Sequence, residues 1–375
     1  MGLNATTYSG RQFKVFLASE QTTGTFCLTD ASFYRVDVEG ITLPPFSPVQ
    51  EFEMRTGSGR IAEFDQIFSS SKRVTTEFTL TGRLTQEMWM ILMENVTGDE
   101  FDGGGSSDSV LTLANNYGGL GFKVGDDPAG GDSDWAYLLS VYFAAPNAAD
   151  SYSLKSCTCT SFSIDSDMDS AAGRFNYSAT FQTQSTPAKG EQSGLVSAAE
   201  TAHPIGSNNR YLSLLDEKNI NVKAYETGSD QDNITPLFKT FNMTIECPTQ
   251  FLGASGANGE PEVWGKALPE LTITWGGSIK YDNETDSMVE AFRDPDNNSY
   301  LSFYLADVGV AGTYDTPTGV FFTATSVEKM GMWFGKSKLT SCEVSSDDVA
   351  MVNFEAKVLA PSSGNTAHFL AGDNN

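Results

Sequence analysis

Histidine and cysteine are the residue types most often used for catalysis and metal binding. The chain has two histidines, His203 and His368, and five cysteines. Only Cys157 and Cys159 are close together, and residues two apart in a strand point to the same face. We interpret this pair as small, buried, reduced thiols in a strand rather than as metal ligands. Because both histidines fall outside the predicted cores, the sequence predicts neither a general-base histidine nor a zinc site with histidine ligands.

Two acidic stretches begin like calcium-binding loops. Residues 165–169 (Asp-Ser-Asp-Met-Asp) place acids at loop positions one, three and five. Such a loop also needs Gly at position six and a bidentate Glu at position twelve, and these are Ser170 and Asn176 here. The second stretch, 294–298, lacks the same two residues. We therefore predict that both stretches are solvated turns.

Other short motifs also fall short of a catalytic or nucleotide site. Gly119-Leu-Gly121 lacks the third glycine of a dinucleotide-binding loop, and Ala257 follows Gly253-Ala-Ser-Gly256 where a nucleophile elbow would need glycine. A glycosidase needs only two carboxylates, but no pair among the many acids is singled out by its spacing. We therefore expect no enzyme activity, no catalytic residue, no metal and no cofactor.

Length and composition favour a globular protein of two domains. The chain has 375 residues, of which 39% are hydrophobic and 11% aromatic. Its 48 acidic against 23 basic residues give a net charge of −25, which argues against gripping nucleic acid through phosphate contacts. No apolar run approaches the ~20 residues of a membrane span. The first residues do not fit a secretion signal, so we expect the chain to fold in the cytoplasm.

Most of the sequence alternates between apolar and polar residues, as half-buried strands do. The clearest examples, with the residues of their predicted buried faces, are 74–81 (Val74, Phe78, Leu80), 174–181 (Phe175, Tyr177, Ala179, Phe181) and 351–358 (Val352, Phe354, Ala356, Val358). The pattern predicts a mainly β fold with antiparallel sheets.

One predicted helix interrupts the strands in each half. In the first, apolar residues recur every fourth position over 84–96, with Thr85 as the expected N-cap and Gly98 as the stop. In the second, Thr285 is the expected cap of a helix over 286–292. A helix at the same place in both halves suggests a shared topology.

Short stretches recur in the same order in the two halves. The matches are Ile41-Thr42 with Ile234-Thr235, Phe52-Glu53 with Ile245-Glu246, 77–81 with 270–274 (both Glu-φ-Thr-φ-Thr, φ being apolar), 154–157 with 339–342, and 176–181 with 353–358. We interpret them as a tandem duplication of a β-sandwich or barrel domain with one flanking α-helix. Two copies in one chain can replace two subunits of a symmetric assembly.

Composition sets the expected boundaries. The predicted segments are a first domain over 1–188, a linker over 189–209, a second domain over 210–361 and a C-terminal tail over 362–375 that is mobile or used for contacts. Three stretches rich in Gly and Asp, 98–109, 125–134 and 253–259, are predicted loops.

These residues resemble the tail tube (major tail) proteins of long-tailed bacteriophages. The resemblance rests on a helix after the Glu-φ-Thr-φ-Thr-Gly strand over 77–82, and on a closing hairpin from 156–165 to 174–181. It covers nearly the whole chain as a pattern rather than as a diagnostic motif. In that family a β-sandwich with a flanking helix forms six-fold rings whose inner strands join into one barrel. Members with two tandem domains form trimers with pseudo-six-fold rings, and this chain looks like that kind.

The resemblance implies a structural virion protein of the phage tail, assembled in the bacterial host's cytoplasm. Homotrimeric rings, alternatively hexamers, would stack into a hollow tube through which double-stranded DNA passes without specific binding. The implied partners are further copies and the tape-measure, tail-tip and tail-terminator proteins, and no membrane. An acidic lumen would let DNA slide, and the segment 45–73 would reach a neighbouring subunit. The sequence does not identify the residues of the interface or the lumen.

Two other classes of function stay open at this stage. One is another self-assembling virion component, such as a capsid decoration or tail-end protein. The other is a carbohydrate-active β-sandwich, which would need a groove lined by Trp and Tyr. The five Trp residues are dispersed along the chain, which disfavours the second class.

Overall fold

The computed structural model describes residues 12–20, 26–27, 33–42, 49–52, 67–70, 75–97, 108–114, 122–124, 138–170, 173–185, 187–190, 211–214, 218–225, 231–234, 237–255, 261–267, 271–283, 285–293, 300–307, 330–345, 349–361 and 365–372. The described strands of the first half are β1 (Lys14–Ser19), β2 (Tyr34–Val36), β3 (Gly40–Ile41), β4 (Val49–Phe52), β5 (Ile67–Ser70), β6 (Thr76–Arg83), β7 (Asp108–Ala114), β8 (Phe122–Val124), β9 (Leu139–Ala144), β10 (Tyr152–Asp167), β11 (Phe175–Thr183) and β12 (Ala188–Lys189).

The described strands of the second half are β13 (Lys218–Tyr225), β14 (Gln231–Ile234), β15 (Phe238–Glu246), β16 (Gln250–Ser255), β17 (Pro261–Ala267), β18 (Thr272–Lys280), β19 (Tyr300–Asp307), β20 (Gly331–Ser345), β21 (Met351–Val358) and β22 (Asn365–Gly372). The two described α-helices are α1 (Gln86–Thr97) and α2 (Asp286–Arg293). The mainly β fold and the position of both helices are confirmed. No helix in the described part of the chain is long and apolar enough to cross a membrane.

The alternating segments form strands with the predicted faces. The predicted apolar positions of β11 and β21 are buried, as are Phe78 and Leu80 of β6, whereas Val74 lies outside the described residues. In α1 the predicted apolar positions are buried, and the amide of Met88 donates to Thr85 Oγ1 at 3.3 Å, so the predicted cap is confirmed. Local periodicity was sufficient in the strands because one face meets the core and the other does not.

The cap of α2 differs from the prediction. Thr285 does precede the helix, but its Oγ1 accepts the amide of Asp282 at 2.8 Å. The amide of Met288 donates instead to the backbone carbonyl of Thr285 at 3.2 Å. A tight turn before the helix therefore uses the hydroxyl, and the first helical turn is closed by backbone bonds.

Eight strands form one continuous antiparallel sheet, which we call the central sheet. Their order is β3·β6·β11·β10·β15·β18·β21·β20. The first four strands come from the first half of the chain and the last four from the second half. The pairing of β10 with β15, which we call the internal joint, connects the halves.

The long strands β10 and β20 each leave the central sheet and enter a side sheet. The first part of β10 pairs with β9, which pairs with β1 and then β2. The first part of β20 pairs with β19, which pairs with β13 and then β14. The first part of each long strand also pairs, on its opposite edge, with the last strand of the same half. These pairs are β10 with β12 and β20 with β22.

A buried carboxylate supports the bend of β10. Ser156 has a positive φ of 54°, and the strand register shifts between Leu154 and Cys157. The amide of Ser156 donates to Glu20 Oε1 at 2.5 Å, and both residues are buried. A strained, left-handed residue inside a strand persists only where its surroundings hold it, and this hydrogen bond is part of that support.

The two halves thus pair their strands in the same order. In each half, one strand of the central sheet is followed by a helix: β6 by α1 and β18 by α2. A two-stranded hairpin comes before that strand in the chain, with β4·β5 between β3 and β6 and β16·β17 between β15 and β18. Gly82 lies opposite Tyr177, and Gly277 opposite Phe354. A Cβ atom on either glycine would clash with a neighbouring backbone oxygen, at 2.2 and 2.0 Å, far inside van der Waals contact.

The predicted sequence matches coincide only partly with this correspondence. Residues 176–181 and 353–358 lie at corresponding places in β11 and β21. The two Glu-φ-Thr-φ-Thr stretches fall in corresponding strands but are two residues out of register, because Ala179 opposes Leu80 while Ala356 opposes Trp275.

The other three matches join positions that do not correspond. Ile41 lies in β3 and Ile234 in β14, Phe52 lies in β4 and Ile245 in β15. The stretch 154–157 is in the side-sheet part of β10, whereas 339–342 is in the central-sheet part of β20.

Buried apolar side chains from both halves form one contiguous cluster. The ring of Phe175 lies 6.1 Å from that of Phe241 across the internal joint, and Phe241 stacks on Phe303 at 5.6 Å. Trp275 lies 4.5 Å from the Phe303 ring. The halves are therefore packed against each other as well as hydrogen-bonded.

The segment that lengthens the first half makes contacts with the second. Within 98–134, β7 pairs with β22 and β8 pairs with β17. Two of the predicted loop stretches lie outside the described residues except 108–109, which belong to β7. The third prediction is wrong in part, because 253–255 belong to β16, where backbone pairing with β17 tolerates small side chains.

The prediction for the C-terminal tail is wrong over 365–372. This stretch forms β22, paired with β20 on one edge and β7 on the other. Phe369 packs 5.8 Å from Trp89 of α1, and His368 is 2% exposed and lies beside Trp333. His368 therefore lies in the core rather than outside it, because long-range strand partners cover a segment whose own composition is polar and small.

Candidate functional site

The residue types that most often carry catalysis and metal binding are histidine, cysteine and the acidic residues. In the described part of the chain, no group of three or more His, Cys, Asp or Glu side chains could hold a metal ion. Cys157 and Cys159 are buried in β10, as predicted. Burial raises the pKa of the Cys157 thiol well above its ordinary value, with a smaller contribution from the negative charge of Glu20. Such a thiol is poorly reactive.

The first acidic stretch lies at the end of the β10–β11 hairpin. Asp165 is exposed and its Oδ2 accepts from Asn176 Nδ2 at 2.8 Å, while Asp169 forms an ion pair with Lys239 at 3.1 Å. The amide of Asp169 donates to Asp167 Oδ1 at 2.8 Å, and this bond lowers the pKa of Asp167. The predicted solvated turn is therefore confirmed only for its last residues, 168–169, because 165–167 belong to β10 and pair with β11 and β15. His203, 294–298 and Gly119–Gly121 lie outside the described residues.

The internal joint is an antiparallel pairing of two strands whose inward side chains are apolar and buried. Its register runs from Ser161 opposite Glu246 to Asp167 opposite Thr240. The inward pairs are Phe162 with Ile245 and Ile164 with Met243, and all four side chains are at most 1% exposed. Backbone bonds extend the joint at both ends, from Met168 to the Lys239 carbonyl and from Cys247 to the Thr160 carbonyl.

Among the described strands, the corresponding edge of the second half has no partner. Lys338–Ser345 of β20 pairs with β21 on one side, in the place that Ser161–Asp167 of β10 occupies beside β11. On its other side no described strand pairs with 339–345, a range we call the open edge. Val344 of this segment is 43% exposed, and Thr340, Ser341 and Glu343 are also exposed.

A second edge for which no described strand is a partner lies at the other end of the central sheet, and we call it the second open edge. Gly40 and Ile41 of β3 pair with β6, and the amides of Glu39 and Thr42 donate to the carbonyls of Thr81 and Thr79. No described strand pairs with the other side of β3. This strand occupies beside β6 the place that β15 occupies beside β18, so the two ends of the sheet match the two sides of the internal joint.

Polar side chains cover the face of the central sheet that points away from the core. Hydroxyl and amide groups dominate this face, and neighbouring strands are linked through them. The cross-strand hydrogen bonds include Thr79 with Thr180 at 3.3 Å and Gln182 with Glu77 at 3.2 Å. Its charged residues on the described strands are Glu77, Asp165, Asp167, Glu246, Glu343 and Glu355 against Arg83, Lys239, Lys280, Lys338 and Lys357.

Sequence reasoning did not identify the open edge. Residues 339–345 read as an ordinary polar strand, and the strand that pairs with a given edge cannot be read from the residues of that edge. A cue lay in Cys342 and Val344, which place small apolar side chains on one face of an otherwise polar stretch.

The chain matches no protein-family model, and no curated protein is similar to it in sequence.

Proposed function

We propose that this chain is a structural virion protein of the tandem tail-tube kind, which forms stacked rings around a DNA conduit. The observation that supports the proposal best is the pair of open edges at the two ends of the central sheet. The internal joint joins the end of one four-strand unit to the start of the next. A repeat of the same joint between chains would be head-to-tail, and a head-to-tail contact closes into a ring when its rotation permits.

The proposal includes a tandem duplication of one domain. It is supported by the shared strand order, the helix after β6 and β18, and the glycines opposite Tyr177 and Phe354. The sequence has diverged so far that only some short matches fall at corresponding positions. Topology is retained because every strand of the central sheet needs two neighbours, whereas many apolar residues satisfy each buried position.

Ring size follows from the number of strands. Three chains of eight central-sheet strands would give a barrel of 24. With strands about 4.8 Å apart and tilted by about 40°, such a barrel is about 50 Å across at the backbone, wider than a DNA duplex. The polar face would line the lumen, because the opposite face packs on the core.

The charge of that face supports weak rather than strong repulsion of DNA. Six acids against five bases on the described strands leave an excess of one negative charge per chain. Most of the net charge of −25 therefore lies elsewhere in the chain. A lumen covered by hydroxyl and amide groups with few cations offers no cluster of phosphate contacts that would hold the duplex in place.

A lysine on the open edge tests whether this edge drives assembly. Val344→Lys should leave the chain folded, since Val344 is already partly exposed, but should prevent ring formation because lysine blocks edge-to-edge pairing. Leu359→Lys is the matched control, since Leu359 is 44% exposed but lies beyond the end of β21. The readouts are solution mass and electron microscopy.

The proposal expects rings from the wild type and Leu359→Lys and single folded chains from Val344→Lys. Rings from Val344→Lys as abundant as those of the wild type would contradict the role of the open edge. Discrete, non-ring assemblies from all three proteins would favour a capsid decoration or tail-end component instead.

A further inference from the structure

We infer the register in which two chains join: residues 341–345 of β20 pair antiparallel with residues 42–38 of the next copy. Cys342 then lies opposite Ile41. This inference rests on the proposed function and adds to it the partner segment and the alignment of the contact. It follows from the internal joint, whose two sides are both described.

The alignment is obtained by matching each open edge to its counterpart in the internal joint. Tyr177 opposes Ile164 in β10, and its counterpart Phe354 opposes Cys342 in β20. Cys342 therefore takes the place of Ile164. This correspondence is given by the glycines opposite the two aromatic residues and agrees with the sequence match of 176–181 with 353–358.

The other side of the contact is matched through β6 and β18. Gly82 and Gly277 correspond, so Leu80 corresponds to Trp275, two residues earlier in each strand. Ile41 opposes Leu80, as Met243 opposes Trp275. Ile41 therefore takes the place of Met243, and the pair Ile164 and Met243 of the internal joint predicts Cys342 opposite Ile41.

The side chains of the open edges fit this alignment. Cys342 and Ile41 are half-buried in the single chain, whereas Ile164 and Met243 of the internal joint are almost fully buried. Both would complete an apolar inner side between chains. One residue away, Glu343 would oppose Gly40, whose lack of a side chain leaves room for the carboxylate.

Oxidative cross-linking tests the register. Directly opposed residues of an antiparallel pair have Cα atoms about 4.5–5.5 Å apart, which permits a disulfide. In Ile41→Cys, the introduced thiol should pair with the native Cys342 of the next copy under mild oxidation. Each joint loses two hydrogen atoms to the oxidant and gains one S–S bond. Non-reducing electrophoresis should show a ladder of covalent oligomers that ends at three chains, and reduction should collapse it.

Two controls isolate the alignment. Ile41→Cys combined with Cys342→Ser removes one partner and should give no ladder. Thr42→Cys moves the introduced thiol by one residue to the opposite face and should also give none. A ladder from Thr42→Cys in place of Ile41→Cys would overturn the register, because the strands would then be shifted by one residue.

A second pair of introduced cysteines tests the same register if Ile41→Cys folds poorly. Glu39→Cys with Val344→Cys, in the Cys342→Ser background, uses two positions that are exposed in the single chain and opposed in the same register. Rings seen by electron microscopy without a ladder from either pair would overturn the register while leaving the proposed function intact. Failure to form rings under any condition would overturn both.

Discussion

His368 illustrates how a residue in a polar terminal stretch becomes a core residue. It lies in β22 between β20 and β7, beside the ring of Trp333 at 5.2 Å. Burial lowers its pKa from the ordinary value of 6.5 to about 4, because the charged imidazolium would lose its hydration. The neutral form is therefore the one that the folded chain accommodates.

This burial predicts a loss of stability in mild acid. Between pH 6.5 and 4 the unfolded chain protonates His368 and the folded chain does not, so the free energy of unfolding falls as the pH is lowered through this window. The loss reaches at most about 3 kcal/mol. Urea unfolding of the wild type and His368→Phe at several pH values should show this extra slope in the wild type alone. Parallel curves for the two proteins would contradict a depressed pKa.

Gly277 of β18 leads to a prediction at the scale of the strand. Gly277 has a φ of +152°, and a Cβ there would lie 2.0 Å from the carbonyl oxygen of Thr240, so β15 and β18 could not keep their spacing. We expect Gly277→Ala to lower the free energy of unfolding by about 2–5 kcal/mol.

Gly190 is the matched control for that substitution. It also has a positive φ, of +138°, but nothing lies within 4 Å of a Cβ placed there. Gly190→Ala should therefore cost only the conformational strain, and thermal melts of the two variants should differ clearly. Equal losses would show that the spacing of β15 and β18 does not depend on Gly277.

Elements with a strong local pattern could be predicted from the sequence, and elements defined by distant partners could not. β6, β11 and β21 have one buried and one more exposed face, so their periodicity alone identifies them. α1 is buried on nearly all sides, and its apolar residues at every fourth position together with the Thr85 cap identify it. β22 lacks such a pattern and is a strand because β20 and β7 supply its hydrogen bonds. The predicted cap of α2 was wrong for a similar reason, because a hydroxyl group before a helix has more than one backbone partner within reach.

The candidate site could not be predicted from the sequence for a related reason. An open strand edge is defined by what does not pair with it among the described strands, and pairing is a property of the whole sheet. The shared strand order was suggested by the repeat, but of its matches only 176–181 with 353–358 falls at corresponding positions. The glycines opposite Tyr177 and Phe354, seen in register, extend that alignment to β6 and β18.

At the scale of the whole molecule, the chain consists of two similar strand units and one completed joint. The insertion strands β7 and β8 pair with the second half, so the joint within the chain is reinforced by contacts outside the central sheet. In the proposed assembly, such reinforcement would make the complete chain the rigid unit, and the joint between chains would be the one that forms reversibly.

The mass of the purified protein in solution, measured together with electron microscopy of the same sample, tests the central claim most directly. The account predicts hollow rings or stacked tubes whose repeating unit contains three chains. A protein that stays a dispersed single chain at high concentration, and that also fails to polymerise on a tail-tip seed, would contradict it.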